Sequence, residues 1–313
     1  MKRTAILADI HGNAPALAAL LADAKQQQCD ECWFLGDIFG YGPLPVTCIH
    51  LLDQVSPTIW LMGNHDLSVM RLWQGMSMDN DVIRQMTPGR KQRWVAKWHA
   101  VQVQVALSAT RTRKLASLPT WIEARPGIFA AHGAVLDDDP HSPKNIGANA
   151  YVKPWKHTAA IMLDFLHARR ETSGPRFIAV GHYHQPFFAV ARSTQPYDID
   201  WNAGQSVYLD DGGGSGRWVF PPAEENKTVI INPGSVGQPR FVGGDIRAAY
   251  AILEEDENNL LAVHFRRVDY NEGELRAAKV LMPPENSRNS DDWWSAIEPI
   301  LEEWIEKESI HEA

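Results

Sequence analysis

The sequence predicts an α/β protein in which two packed β-sheets carry helices on their outer faces. Short apolar segments alternate with helical segments over residues 4–62, which is typical of parallel strands joined by right-handed crossovers. The second half of the chain has apolar segments separated by short polar turns, which favours hairpins. With 313 residues, 44% of them hydrophobic, the chain can bury the core of one large domain, and we expect a single domain over residues 1–313.

The first five elements follow from apolar segments and helix signals. Asn13 can cap a helix that has Pro15 in its first turn. A glycine lies at or soon after the end of each apolar segment, as expected for short buried strands. The predicted order is a strand at Thr4–Ala8, a helix at Ala14–Gln27, a strand at Cys32–Gly36, a helix at about Val46–Asp53 and a strand at Thr58–Met62.

The later elements are predicted around two insertions. Residues from about 68 to 118 form a helical insertion, and residues from about 190 to 228 form a loop or hairpin insertion with little periodicity. A C-terminal helix is expected at about 291–308, where apolar residues recur at helical spacing. Strands at 177–180 and 187–191 are expected to pair with each other. The other predicted elements are strands at 127–131, 228–231, 248–253 and 262–268 and a helix at 154–170.

The composition restricts the partners of the protein. The formal net charge of −8 and the pI of about 5.8 disfavour long nucleic acid, because non-specific binding to it needs a basic surface. They do not exclude a phosphate substrate, since carboxylates that enclose divalent cations attract phosphate. Three cysteines are too few for a disulfide framework, and no segment reaches the roughly 20 apolar residues of a membrane span. We therefore expect a cytoplasmic protein without a membrane partner.

Five short motifs place Asp, Asn or His beside glycine where predicted strands end. Open α/β sheets build their sites at the carboxyl ends of strands. In the pairs Asp9/His11 and His182/His184, an extended backbone would point both side chains to the same side. The motifs are Asp9-Ile10-His11-Gly12-Asn13, Gly36-Asp37-Ile38-Phe39-Gly40-Tyr41-Gly42-Pro43, Gly63-Asn64-His65-Asp66, Ala131-His132-Gly133-Ala134 and Gly181-His182-Tyr183-His184-Gln185-Pro186.

The donor atoms in these motifs predict a metal centre. Two Asp, one Asn and four His, without a thiolate, suit Mn, Fe, Zn, Co or Ni better than Ca. Seven side chains exceed what one ion needs, whereas two divalent ions about 3.5–4 Å apart, bridged by one carboxylate, use all of them. The predicted metal ligands are Asp9, His11, Asp37, Asn64, His132, His182 and His184.

In their identity and order, the five motifs resemble those of the calcineurin-like metallophosphoesterase superfamily. The segments Gly40–Pro43 and Asn232–Arg240 further resemble its YfcE-like phosphodiesterase branch. The resemblance spans residues 4–253 and implies a four-layer α/β/β/α sandwich of two mixed sheets. The sequence departs from the usual pattern at Tyr183, where Thr or Ser is common, and at Phe241, where Asp is common.

The resemblance also implies roles for the motif residues. His65 matches a catalytic histidine that faces the substrate phosphate, and Asp66 matches the carboxylate that orients it. The implied reaction is attack of a metal-bridging hydroxide on a small phosphate ester, with His65 as general acid. One metal would be bound by Asp9, His11, Asp37 and His184, and the other by Asp37, Asn64, His132 and His182.

Two other residues are candidates for contact with the substrate, beside Asn64 and His65. Arg240 either approaches the substrate phosphate or is a surface or packing arginine. Tyr41 either lines the pocket or packs within the fold. The seven remaining histidines, among them His99, lack partners at ligand spacing and are interpreted as residues without a chemical role.

The alternative functions each conflict with one feature of the motifs. Relatives that are phosphomonoesterases of the protein phosphatase type, or dinucleoside-polyphosphate hydrolases, usually have an arginine in the second motif, where this chain has Gly40-Tyr41. A non-catalytic protein-binding scaffold of this fold typically has a degraded ligand set, whereas all seven ligand types and His65 are present here. The sequence therefore predicts a phosphodiesterase with a dinuclear metal centre.

Overall fold

The computed structural model describes residues 1–279 and 282, apart from 138, 142–146, 155–156, 169–174, 193–197, 204–206, 208–214, 221–226, 241–243 and 257–260. The strands are β1 (Lys2–Leu7), β2 (Glu31–Phe34), β3 (Ile59–Trp60), β4 (Trp121–Arg125), β5 (Ile128–Ala131), β6 (Phe177–Val180), β7 (Phe187–Arg192), β8 (Asp198–Ala203), β9 (Ser215–Phe220), β10 (Lys227–Asn232), β11 (Ala248–Glu255) and β12 (Leu261–Val268). The helices are α1 (Ala14–Gln26), α2 (Pro45–Val55), α3 (Asn64–Trp73), α4 (Asp81–Met86), α5 (Arg90–Ala106), α6 (Ala109–Ala116), α7 (Thr158–Ala168) and α8 (Glu272–Ala278).

The strands form two mixed six-stranded sheets. The first has the order β3-β2-β1-β11-β12-β9, in which β1, β2 and β3 are parallel and the other pairs are antiparallel. The second has the order β4-β5-β6-β10-β7-β8, in which β5, β6 and β10 are parallel. The predicted α/β class with two mixed sheets is confirmed.

Apolar side chains separate the sheets from each other and from the helices. Successive residues of a strand face opposite sides, so Ala5 and Leu7 contact the helical layer while Ile6 and Ala8 pack between the sheets. A third cluster, which includes Leu163, packs α7 against the second sheet. These three apolar layers account for the α/β/β/α arrangement, because each buries a face that its element could not leave in water.

The predicted pairing of strands 177–180 and 187–191 is wrong. β10 lies between β6 and β7, so that Val229 is paired with Phe177 on one side and with Val190 on the other. β10 is almost entirely buried, and the centre of the sheet is the position where both faces of such a strand are covered. Proximity along the chain favoured a hairpin between β6 and β7, but a strand from a later part of the sequence intervenes.

The predicted insertions correspond to regular structure where the chain is described. Helices α3–α6 occupy residues 64–116. Within 190–228, β8 extends the second sheet beside β7, whereas β9 extends the first sheet beside β12. The predicted C-terminal helix at 291–308 lies outside the described residues, and the division into domains stays a prediction. No helix in the described part of the chain combines the length and apolar character that a membrane crossing requires.

Candidate metal centre

All seven predicted ligands meet where the ends of the two sheets adjoin. Asp9 follows β1, Asp37 follows β2 and His132 follows β5, so the strand ends that the sequence predicts carry these side chains. The first sheet supplies four of the residues and the second sheet supplies three. Every one of the seven is buried, with an exposed fraction of 4% or less: Asp9, His11, Asp37, Asn64, His132, His182 and His184.

One group of donor atoms belongs to the first and last motifs. Ligand atoms of Asp9, His11 and His184 all lie within 4.8 Å of one another. The Nε2 atoms of His11 and His184 are 3.1 Å apart, and His184 Nε2 is 3.5 Å from Asp9 Oδ1. Two imidazole nitrogens and a carboxylate oxygen at such distances form a typical binding site for a divalent cation of the Zn or Mn type.

A second group of donors surrounds Asp37. Its ligand atoms and those of His132 and His182 also lie within 4.8 Å of one another. His132 Nε2 is 3.4 Å from Asp37 Oδ2 and 3.2 Å from Asn64 Oδ1. Asp37 Oδ2 is also 3.9 Å from Nε2 of His11, which belongs to the first group, so this oxygen lies between the two groups.

Hydrogen bonds fix the orientation of several of these side chains. Nδ1 of His11, His132 and His184 lies 2.6–2.9 Å from a backbone carbonyl oxygen, that of Phe39, Leu35 and Gln238 respectively. A carbonyl only accepts hydrogen bonds, so Nδ1 carries the hydrogen and Nε2 faces the cluster, as is usual for metal-binding histidines. The Asn64 amide donates to the Met86 carbonyl at 2.7 Å, which directs its oxygen to the cluster.

At five of the seven predicted ligands the backbone is left-handed and not extended, so the expected extended conformation of the two residue pairs is wrong. Only seven non-glycine residues in the described part of the chain have positive φ, and five of them are predicted ligands. Such strained conformations concentrate at functional sites, where the surrounding structure holds them. The five φ values are 57° at Asp9, 49° at His11, 62° at Asp37, 65° at His182 and 64° at His184.

Burial and close contacts strongly shift the pKa values of the cluster and leave donor atoms without partners. Burial raises the pKa of Asp9 to about 8, although His132 opposes the rise. Burial alone would lower the pKa of His132, but the neighbouring Asp37 carboxylate raises it to about 9. Asp9 Oδ1, Asp37 Oδ2 and His182 Nε2 are buried without a hydrogen-bond partner among the described residues. Buried donor atoms of this kind are normally satisfied, and divalent cations would satisfy all three.

His65 lies beside both the first group and Asp37. Its ring centroid is 5.1 Å from that of His11, and its backbone N–H donates to Asp37 Oδ1 at 2.9 Å. One ligand atom of His65 lies within 4.8 Å of those of His11 and Asp37. The geometry therefore permits either contact with a substrate or contact with a metal, and the resemblance implies the former.

Asp66 binds the backbone of the second motif. Its Oδ2 accepts from the N–H of Asp37 at 2.7 Å and of Gly63 at 2.9 Å, and its Oδ1 accepts from the N–H of Phe39 at 3.1 Å. Asp66 thus holds the loop after β2, and no hydrogen bond to the His65 ring is found among the described residues, contrary to expectation. Adjacent residues on a helix point in different directions, which explains why the two side chains of α3 separate.

The two candidate substrate-binding residues lie at the same cluster. The half-buried Tyr41 ring is 4.8 Å from the His11 ring and 5.2 Å from the His65 ring. Its hydroxyl accepts a hydrogen bond from Gln92 of α5 at 2.9 Å. Arg240 is exposed, and its charge adds to the effect of burial in lowering the pKa of His184 to about 3.

His99 is a structural residue that the sequence did not reveal. It is fully buried on α5, where its Nδ1 accepts from the N–H of Gly40 at 3.3 Å and its Nε2 donates to the carbonyl of Gly42 at 3.0 Å. Together with Gln92, it fastens α5 to the loop that carries Tyr41. Its partners are backbone groups distant in sequence, so no spacing pattern indicates this role.

Replacing His99 with Gln is expected to change how stability depends on pH. Burial lowers the pKa of His99 to about 3. Below pH 6.5 the unfolded chain therefore binds a proton at this histidine, whereas His99 in the folded protein stays neutral until the pH approaches 3. Wild-type stability therefore falls from about pH 6.5 down to about pH 3 by up to about 1.4 kcal/mol per pH unit from this group. Urea unfolding of the chelator-treated proteins should show the variant about 1–2 kcal/mol less stable at pH 8, and the difference should shrink and then reverse sign as the pH is lowered below 6.5. A constant difference would contradict a buried neutral ring, and His50→Gln, at an exposed site on α2, serves as the control.

Comparisons with known proteins identify the family of the chain. The profile of the family described as calcineurin-like phosphoesterase matches residues 2–220. The crystal structure of a metallophosphoesterase from Sphaerobacter thermophilus has a TM-score of 0.61 and 30% identity, covering 90% of this chain and 95% of that one. An uncharacterised protein of Methanocaldococcus jannaschii is 26% identical over 85% of this chain and 87% of its own length. A symmetrical bis(5'-nucleosyl)-tetraphosphatase of Psychromonas ingrahamii is 31% identical over 80 residues, which are 25% of this chain and 29% of that protein.

The family match includes every predicted metal ligand, from Asp9 to His184. It covers well over half of the chain, and the similarity to a solved metallophosphoesterase extends over nearly all of it. The narrower assignment to the YfcE-like branch stays a prediction. The chain belongs to the calcineurin-like phosphoesterase family, which implies a metal-dependent phosphoric ester hydrolase.

Proposed function

We propose that this protein is a phosphodiesterase that hydrolyses a small phosphate ester with two bound divalent cations. The observation that carries the proposal is the convergence of two groups of buried donors, in which Asp37 Oδ2 of the second group lies 3.4 Å from His132 Nε2 and 3.9 Å from His11 Nε2 of the first. The first cation would be held by Asp9, His11, Asp37 and His184, and the second by Asp37, Asn64, His132 and His182.

The residues of the chain then have distinct tasks. Bound divalent cations lower the pKa of coordinated water and offset negative charge on a phosphoryl oxygen. His65 donates a proton or a hydrogen bond to the leaving oxygen, and Asn64 contributes to binding the phosphate. Asp66 keeps the Asp37 loop in place through its three backbone hydrogen bonds. Arg240 supplies a positive charge at the exposed side of the cluster.

Tyr41 supports a diester over a monoester. A monoester phosphate carries nearly two negative charges at neutral pH, and a diester carries one. Where related monoesterases usually have an arginine, this chain places an aromatic ring against His11 and His65. The tyrosine side chain is neutral, and its hydroxyl accepts a hydrogen bond from Gln92. This position therefore adds no positive charge to bind a dianionic phosphate. A monoanionic substrate fits this environment better.

Three other functions are weighed against this proposal. The tetraphosphatase similarity favours cleavage of a dinucleoside polyphosphate, but it involves only a quarter of the chain. A scaffold that only binds proteins is opposed by the complete set of buried donors. A phosphomonoesterase of the protein phosphatase type is opposed by Tyr41.

The proposal is tested by rates on two chromogenic substrates. We expect the protein, supplied with Mn²⁺, to hydrolyse bis-p-nitrophenyl phosphate with a higher kcat/KM than p-nitrophenyl phosphate. Excess chelator should abolish both activities, and Mn, Fe, Zn, Co or Ni should restore them better than Ca. A preference for the monoester would favour the phosphatase alternative, and the absence of turnover with any metal would favour the scaffold.

We also propose a cytoplasmic location. All three cysteines, Cys29, Cys32 and Cys48, are unpaired thiols, which suits a reducing compartment.

A further inference from the structure

We propose that the substrate carries a second phosphate besides the scissile one, and that Lys153, held between Tyr151 and Tyr183, binds it. This inference rests on the proposed function and narrows the class of substrate to esters with an additional anionic group. The four residues that carry it are His182, Tyr151, Tyr183 and Lys153.

Tyr151 forms a wall of the metal centre. Its ring stacks on that of His182 with centroids 4.0 Å apart and planes 26° apart. His182 belongs to the second group of donors, whereas Tyr41 lies against His11 of the first group. The two tyrosines therefore cover opposite halves of the cluster, and both are half-buried, so one side of each remains open to solvent.

Tyr183 adds a second ring at the same place. It follows His182 directly in the sequence, and its centroid is 6.5 Å from that of Tyr151 in an edge-to-face arrangement. It also packs against Phe187 at 6.3 Å, which anchors it to β7. The family resemblance leads one to expect Thr or Ser here, and neither could offer an aromatic face to a neighbouring cation.

The ammonium group of Lys153 lies over the rings of both tyrosines. Its Nζ lies 5.3 Å from the centroid of Tyr151 and 5.6 Å from that of Tyr183. Contacts with two aromatic faces restrict a flexible side chain and orient its charge. Among the residues that the structure describes, no carboxylate forms an ion pair with Lys153, so its charge is available to a ligand.

The position of Lys153 suits it to bind a second anionic group of the substrate and not the scissile phosphate. Among the described residues, the ammonium group of Lys153 contacts the rings of Tyr151 and Tyr183 and none of the seven donor side chains, whereas Tyr151 itself stacks on His182. Arg240 acts near the other half of the cluster, where it adds to the effect of burial in lowering the pKa of His184. An ester bound at the metals and extending past Tyr151 would bring a second phosphate to Lys153, where a charge-assisted hydrogen bond would form.

A matched pair of substrates tests this inference in the Mn²⁺-loaded protein. Thymidine 5'-(p-nitrophenyl phosphate) and its 3'-phosphorylated counterpart differ only in the second phosphate. We expect the wild type to have a higher kcat/KM for the 3'-phosphorylated ester. Lys153→Met should lower the ratio of the two kcat/KM values about tenfold, and Lys153→Arg should preserve most of it. Tyr183→Thr should lower the ratio by less than Lys153→Met.

The controls separate this inference from the proposed function. Lys25→Met, at an exposed site on α1, should leave the ratio unchanged. An unchanged ratio in Lys153→Met, or equal losses on both esters, would overturn the second phosphate site. If the wild type cleaves neither ester, the proposed function fails, and calorimetric binding of thymidine 3',5'-bisphosphate against thymidine 5'-monophosphate still decides the role of Lys153. The site is rejected if Lys153→Met does not weaken binding of the bisphosphate selectively.

Discussion

Replacing Asp37 with Asn is expected to remove bound metal and to lower kcat/KM by well over the roughly 10–100-fold loss typical of residues behind the metal ligands. Asp37 Oδ2 is buried without a hydrogen-bond partner among the described residues and lies 3.4 Å from His132 Nε2 and 3.9 Å from His11 Nε2. A neutral amide cannot balance the charge of two cations, so both groups of donors lose their shared ligand.

The asparagine variant is chosen because it preserves the fold. Asp37 Oδ1 accepts from the backbone N–H of His65 at 2.9 Å, and the amide oxygen of Asn can accept the same bond. Metal content measured by plasma mass spectrometry should fall together with turnover, while the circular dichroism spectrum stays that of the wild type. Asp79→Asn, at a surface ion pair with Arg84, is the control. Two metals retained per chain in the variant would exclude a bridging role for Asp37.

Replacing His65 with Asn is expected to lower kcat by about 10²–10⁴ while the metal content stays the same. The residue is buried beside the first group of donors and faces Tyr41. Burial lowers the pKa of its ring, although the Asp37 carboxylate opposes this effect. A lowered pKa makes the protonated ring a stronger acid but also less populated at neutral pH, so this environment suits a hydrogen bond from the neutral ring to the leaving oxygen as well as proton donation.

Metal analysis makes the His65 experiment decisive. The donor atoms of His65, His11 and Asp37 are close enough to share an ion, so a role as ligand is the direct competitor of the catalytic role. Loss of a metal along with activity would identify His65 as a ligand. Unchanged kcat with both metals present would remove it from the reaction altogether. His167→Asn, at a residue of α7 with no part in the cluster, provides a matched control.

The sequence was sufficient to predict the strand ends that carry the cluster, because short motifs beside glycine depend on local backbone geometry. Asp9, Asp37 and His132 follow their strands where expected. Gly63 shows how strict this geometry is, since a Cβ atom there would overlap the Asp37 carboxylate. Local patterns of this kind are readable because the chain has few other ways to make so sharp a turn.

The features that the sequence did not predict depend on the surroundings of the residues. β4 and β8 are edge strands whose residues are mostly half-buried or exposed, so they lack a clear apolar alternation. α8 is short and has no buried residue. The roles of His99 and Lys153 arise from contacts with elements distant in the chain, and Asp66 contacts backbone groups that carry no side-chain signal.

The left-handed backbone at five of the predicted ligands lowers the stability of the fold in exchange for the side chains that the proposed activity needs. Each non-glycine residue in this conformation costs roughly 1–2 kcal/mol, and glycine would relieve the cost. Directed evolution that selects only for thermal stability should therefore accumulate glycine or asparagine at Asp9, His11 or His182. The resulting proteins should be more thermostable but inactive. The presence of aspartate and histidine at these positions therefore favours catalytic activity at the expense of a higher melting temperature.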